Sequence, residues 1–220
     1  MALHSSNKSL FIDSIIENIT VIKHCINFKK ENDNWEYGGE GILGVPAFIL
    51  ICSVIDAIGS YFRGTETTIT FNEESYKIEK AGHHFYILNH EKLFKFSLSK
   101  KAVEDFYETY RCKLTHNNSL PENNFLYIGK EGDKCFELDK NGQIQKIYLK
   151  PLFKKTTEAV SLFLHYLDFF NFDGSHQLTK ELVNRAKVRL NNQDIKDNSI
   201  TGHTQTIVTN NNRDIEMNDV

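Results

Sequence analysis

Between Gly41 and Ile55 the chain carries almost no polar side chain, and this run limits the available folds more than any other stretch. It falls short of the ~20 residues that span a bilayer, and Pro46 and Asp56 bracket its helical part. Pro46 suits the first turn of a helix, where its missing N–H would have no partner anyway. The spacing predicts a helix from about Pro46 to Tyr61, closed by Gly64. Phe48, Ile49, Leu50, Ile51, Val54, Ile55 and Ile58 make it apolar nearly all round. A helix of that kind belongs at the centre of a core, with other elements packed about it.

The neighbouring segments supply candidates. Phe11, Ile15, Ile19, Ile22 and Ile26 recur at steps of three or four, so a helix is expected over about Ser9–Lys30. His24 and three lysines crowd its last turns, where the helix dipole favours positive charge. A glycine-rich turn, Trp35 to Pro46, follows. Thr67–Phe71 reads as a strand and the Asn/Glu run after it as loop, while Phe85, Leu88, Leu93 and Phe96 fit a helix from His83 to Phe96. Ser99 is placed to cap another helix, with Val103, Phe106, Tyr107, Tyr110 and Leu114 on its stripe, ending near Asn117. The period then changes to two. Phe125–Ile128, Cys135–Leu138 and Ile144–Leu149 read as strands, and Asp139–Gly142 as a hairpin turn. Pro151 opens a last core helix to about Phe170.

The expected fold is mainly α: a bundle of four to five helices with a small β-hairpin insert at about 125–149, before the last core helix. That domain spans 1–172; a basic helix is expected over 173–190 and a polar, disordered tail over 191–220. At 220 residues the chain is long enough to bury a core without a disulfide or metal staple.

Several functions fail on spacing or charge. Cys25, Cys52, Cys112 and Cys135 include no CxxC pair, which excludes zinc ribbons and thioredoxin motifs and reads as reduced cytosolic thiols. The polar start, Met1 to Lys8, lacks a signal-peptide layout, so a cytoplasmic chain with no membrane partner is expected. A net charge of −3 argues against a basic nucleic-acid coat protein, although a local basic patch fits within a neutral total. Gly39-x-Gly41-x-x-Gly44 has dinucleotide-fingerprint spacing but no preceding buried strand, and reads as a turn before a helix. His83, His84 and His90 lack metal-ligand spacing, so neither metal nor cofactor is expected.

Asp56 is a lone acid on an apolar helix. An unpaired buried carboxylate is costly, so it should meet a partner, reach a cleft or face solvent at the helix end. The sharpest signal is Tyr110-Arg111-Cys112-Lys113-Leu114-Thr115-His116-Asn117 at the end of a strong helix. An arginine fork stabilises charge on a pentacoordinate phosphorus, and an imidazole near pKa ~6.5 can take and return a ribose 2′-OH proton. Five residues apart, Arg111 and His116 lie about 140° apart around one α-helix. Two copies meeting on a two-fold axis would form a joint cleft. The plain alternative is a surface arginine and a capping histidine.

Arg111-x4-His116, ending a helix in a small bundle, resembles the Arg-x4–6-His motif of HEPN domains, over about residues 9–170. The wider phrase from Phe106 to His116 is similar to uncharacterised prokaryotic HEPN-like proteins, with Cys112 where catalytic members usually carry Asn, Asp or His. The resemblance implies a metal-independent RNase site at a homodimer interface, in proteins acting as toxins, in phage defence or in RNA processing. It makes Arg111 the phosphate-stabilising group and His116 the general base and acid, with Thr115 and Asn117 at most behind them; Asp56, singled out above as the lone acid of its helix, is the supporting residue expected beside them. RNA is the implied substrate, with an antitoxin or regulatory protein as a possible partner. Two alternatives are a non-catalytic HEPN-like interaction protein and a small-molecule binder using a cleft near Gly41 and Asp56.

Overall fold

The computed structural model describes residues 7–29, 43–117 and 119–167. The glycine-rich turn before Ile42, the end of the last helix near Phe170, the basic 173–190 helix and the 191–220 tail lie outside the described residues. The fold is mainly α. In chain order the elements are α1 (Asn7–Asn27), α2 (Gly44–Tyr61), β1 (Thr68–Phe71), β2 (Glu74–Lys77), a 3-10 segment (Ala81–Asn89), α3 (Lys100–Asp105), a π-helical stretch (Phe106–Cys112) and α4 (Lys113–Asn117). Strands β3 (Phe125–Tyr127), β4 (Phe136–Leu138) and β5 (Ile144–Tyr148) then lead into α5 (Leu149–Tyr166).

Helix α2 sits in the middle. It buries Ala47, Phe48, Ile51, Cys52, Val54, Ile55 and Ile58, and packs against α1, α5 and the 3-10 segment. Length and composition would let it cross a membrane (18 residues, mean hydropathy 1.7), yet half of it is buried inside this structure. Helix α1 buries Ile12, Ile15, Ile16, Ile19, Ile22 and Ile26, an i, i+3, i+4 stripe turned to α2. Phe11 reaches Tyr61 at 4.5 Å and Phe163 of α5 at 6.2 Å between ring centroids, tying the three helices together.

The run after β1 is not a loop. Asn72 and Glu73 both take positive φ (46° and 71°), and β1 and β2 pair antiparallel from Thr68↔Lys77 to Phe71↔Glu74. That is the geometry of a two-residue hairpin turn, hidden because Glu stands where Gly is usual. The helix expected from His83 to Phe96 is realised only in part and as a 3-10 helix. A 3-10 segment stops at Asn89, whose side-chain amide donates to the Leu98 carbonyl at 2.7 Å and accepts from the Leu98 N–H at 3.1 Å. Lys95 at φ 59° then turns the chain. His84 to Leu88 are five consecutive buried residues, so no single helical face faces the core.

Ser99 caps α3, its hydroxyl accepting the Ala102 N–H at 3.1 Å. The winding then widens over Phe106–Cys112 before tightening into α4. The second sheet has order β3-β5-β4, with β3 parallel and β4 antiparallel to β5. Asp139 fixes the β4–β5 turn by accepting the N–H groups of Asn141 (2.8 Å) and Gln143 (2.9 Å), and these bonds hold its carboxyl below the usual range. Tyr110 joins the π stretch to this sheet. Its hydroxyl donates toward the carbonyls of Gln145 (2.8 Å) and Ile144 (3.1 Å) and accepts from the Asn124 amide at 3.1 Å. Phe106 stacks on its ring, and Phe48, Phe85 and Phe136 pack edge to face or tilted against Phe106, each within 5.9 Å.

Candidate functional site

Three elements converge on Asp56. Gly59, one turn further along α2, has no side chain, and the 3-10 segment lies so close that a Cβ there would fall 2.2 Å from the His84 carbonyl oxygen. That approach sets the His84 imidazole over the Asp56 carboxylate, with Nδ1 at 2.7 Å from Oδ1. From the other side the π stretch brings Arg111, whose Nη2 lies 3.7 Å from Asp56 Oδ2. This separation is an ion pair rather than a hydrogen bond, so most of the five guanidinium N–H donors remain uncommitted. The costly lone acid of α2 therefore has two cationic or potentially cationic partners, on elements 28 and 55 residues away in sequence.

Around this centre stand Tyr107, Cys112 and Cys52. Tyr107 precedes Arg111 by one turn, and the guanidinium carbon sits 5.6 Å from its ring centroid. Burial, then a hydrogen bond with Cys112, raises the Tyr107 hydroxyl above its ordinary pKa. Arg111 Nη1 points to Cys112 Sγ at 4.0 Å. Cys52, one turn before Asp56, is buried, and burial keeps its thiol protonated well above the ordinary value, with Asp56 and Cys112 adding to the effect and Arg111 opposing it. Cys52 is thus an inert neighbour rather than a nucleophile.

The arrangement divides the roles. The carboxylate accepts from Nδ1, so in the neutral imidazole the proton sits there and Nε2 carries the lone pair. Nε2 is sealed from solvent and has no hydrogen-bond partner. His84 therefore holds Asp56 rather than meeting a ligand, and it is a positioning residue. The Arg111 and Asp56 side chains, 30% and 32% exposed, form the open face of the cluster.

His116 stands apart from it, exposed on the last turn of α4 and without a hydrogen bond or ion pair among the described residues. The Thr115 hydroxyl donates to the Arg111 carbonyl at 2.6 Å, which ties it to its own helix. Asn117 closes α4. His83 stacks on Tyr86, centroids 4.7 Å apart, and burial pulls its pKa down. Among the described residues no group of three or more His, Cys, Asp or Glu side chains is placed to hold a metal ion.

Sequence reasoning named Arg111 and Asp56 separately and missed that they meet. It also missed His84, Tyr107 and Gly59. The demand of Asp56 for a partner was a real signal, but nothing local in sequence pointed to position 84. No protein-family model matches the chain, and no curated protein or solved structure matches it either.

Proposed function

We propose that the chain is a HEPN-like, metal-independent RNA endonuclease, its helices forming a four- to five-helix bundle with the β-hairpin as an insert ahead of α5. Arg111 binds and stabilises the scissile phosphate. His116 removes the 2′-OH proton and returns it to the leaving 5′ oxygen, giving cyclic-phosphate ends. Asp56, itself held by His84, restrains the guanidinium from behind. A second copy supplies the facing Arg111 and His116 across a two-fold axis. A cytoplasmic toxin or phage-defence nuclease, restrained by a regulatory protein, is the setting this reading implies.

The observation that carries the proposal is the half-open Arg111 guanidinium, braced by Asp56 at 3.7 Å and lying over Tyr107, on the same helical run as the exposed His116. Bracing by a single carboxylate at ion-pair distance leaves donors for an incoming phosphate. The test is cleavage of single-stranded or loop RNA by the purified chain in EDTA. Activity and cyclic-phosphate products disappear in His116→Ala and in Arg111→Ala, with the circular dichroism spectrum unchanged. Cleavage that survives His116→Ala overturns the reading.

A second reading is favoured by one feature: among the described residues His116 has no partner to orient it, whereas a general base usually has one. Under it the chain is a non-catalytic HEPN-like binding module. RNA then binds through Arg111 and emerges intact.

A further inference from the structure

A groove of about 610 Å³ lies between α1, α5 and the segment after β3 and shares no lining residue with the Arg111 cluster. Its walls follow helical spacing. Lys150, Phe153 and Lys154 are i, i+3 and i+4 on the first turns of α5, and Lys23 and Ile26 share one face near the end of α1. Lys130, just beyond β3, closes one side. Ile26 is buried and Phe153 half-buried, so the floor is apolar with one aromatic ring.

The charge of the groove is one-sided. Of its two acids, Glu158 is already engaged by Lys155 at 3.0 Å, leaving Glu131 beside Lys130, Lys150 and Lys154. Among the described residues Lys130, Lys150 and Lys154 have no ion-pair partner. Three unneutralised ammonium groups converging from two segments repel one another, and an anion relieves that repulsion. The groove is partly open to solvent, so a ligand can enter and leave it.

We propose that this groove binds single-stranded RNA outside the cleavage site, its lysines on successive phosphates and a base against the Phe153 ring. The proposal rests on RNA being the partner, as argued above, but not on the chain cleaving it. Backbone phosphates on lysines with a base on an aromatic face is how sequence-tolerant single-strand sites are built. The groove adds to affinity for the strand without touching the chemistry.

The test separates binding from cleavage by using an uncleavable, fluorescently labelled 2′-O-methyl RNA of about 12 nucleotides, followed by anisotropy with the full chain. Wild type binds with an affinity that falls with salt, at a log–log slope near −2 for about three phosphate contacts. Lys150→Ala/Lys154→Ala weakens binding roughly tenfold and flattens that slope by about 1.4. Phe153→Leu, which keeps the apolar volume, weakens binding with the slope unchanged. Lys154 is exposed and Lys150 half-buried, and an unchanged melting temperature verifies the fold. An oligonucleotide bound equally well by the lysine double variant overturns the groove, as does no binding by wild type at low salt. Loss of cleavage in His116→Ala, or its absence in wild type, bears only on the nuclease reading.

Discussion

His84 and Arg111 share one carboxylate: Asp56 Oδ1 lies 2.7 Å from the His84 imidazole and Oδ2 3.7 Å from the Arg111 guanidinium. The His84 side is nearly sealed and the Arg111 side is open, so the two contacts differ in energetic weight. A double-mutant cycle with Asp56→Asn and His84→Gln at neutral pH is expected to give a coupling of about 1–2 kcal/mol. The same cycle for Asp56 and Arg111 is expected below about 1 kcal/mol, because solvent screens it. Equal coupling in the two cycles contradicts this division.

Gly59 is the point at which α2 admits the 3-10 segment. A methyl group there meets the His84 carbonyl carbon and Cα at 2.7 Å, contacts that backbone cannot yield cheaply. Gly59→Ala should cost about 3 kcal/mol or more in urea unfolding. It should also move the His84 ring signals in NMR, since the overlap falls on that residue. A stability loss within about 0.5 kcal/mol is the result that rules this out.

Tyr110 ends in three hydrogen bonds, to the carbonyls of Ile144 and Gln145 and from the Asn124 amide. Burial pushes its hydroxyl up to about 12, so it stays a donor across the accessible pH range. Tyr110→Phe removes the oxygen and leaves buried polar groups unsatisfied. Thermal and urea denaturation should show a loss of about 1–3 kcal/mol. A neutral effect would mean that water replaces the hydroxyl there.

Burial holds the imidazoles of His83 and His90 below the ordinary histidine value. His90 Nδ1 also accepts the Lys92 N–H at 3.2 Å, a bond that the protonated ring cannot accept. On acidification the unfolded chain takes up protons at about 6.5 while the folded chain still resists. Stability is therefore full above that value and falls as the pH drops toward the depressed folded pKa. Urea midpoints at pH 7.5 and 5.5 check the sign, and His90→Gln should make the fall shallower. A midpoint that rises on acidification contradicts the assignment.

What could be read in the sequence was local. The apolar run placed α2, and the three-to-four spacing of isoleucines placed α1. Ser99 marked a helix start through a cap that depends on three residues. The 81–96 region was legible only in part: burial on several sides hid that the winding is 3-10, and Asn89 ended it early through bonds to Leu98. The hairpin at Asn72-Glu73 lacked its usual glycine. The Asp56 cluster was least legible. It depends on one absent side chain at Gly59 and on widened winding at Arg111, neither of which leaves a periodic trace.

The wide turn at Phe106–Cys112 has a consequence for how this chain tolerates change. Such a stretch accommodates one more residue than regular winding would hold in the same length. Deleting one residue within it therefore returns the run to regular winding with α4 and His116 left where they stand. The same deletion in the regular turns of α3 would instead rotate everything downstream by roughly 100° about the axis. The surface that carries Arg111 and His116 thus tolerates the loss of a residue in the wide stretch and not in the turns just before it.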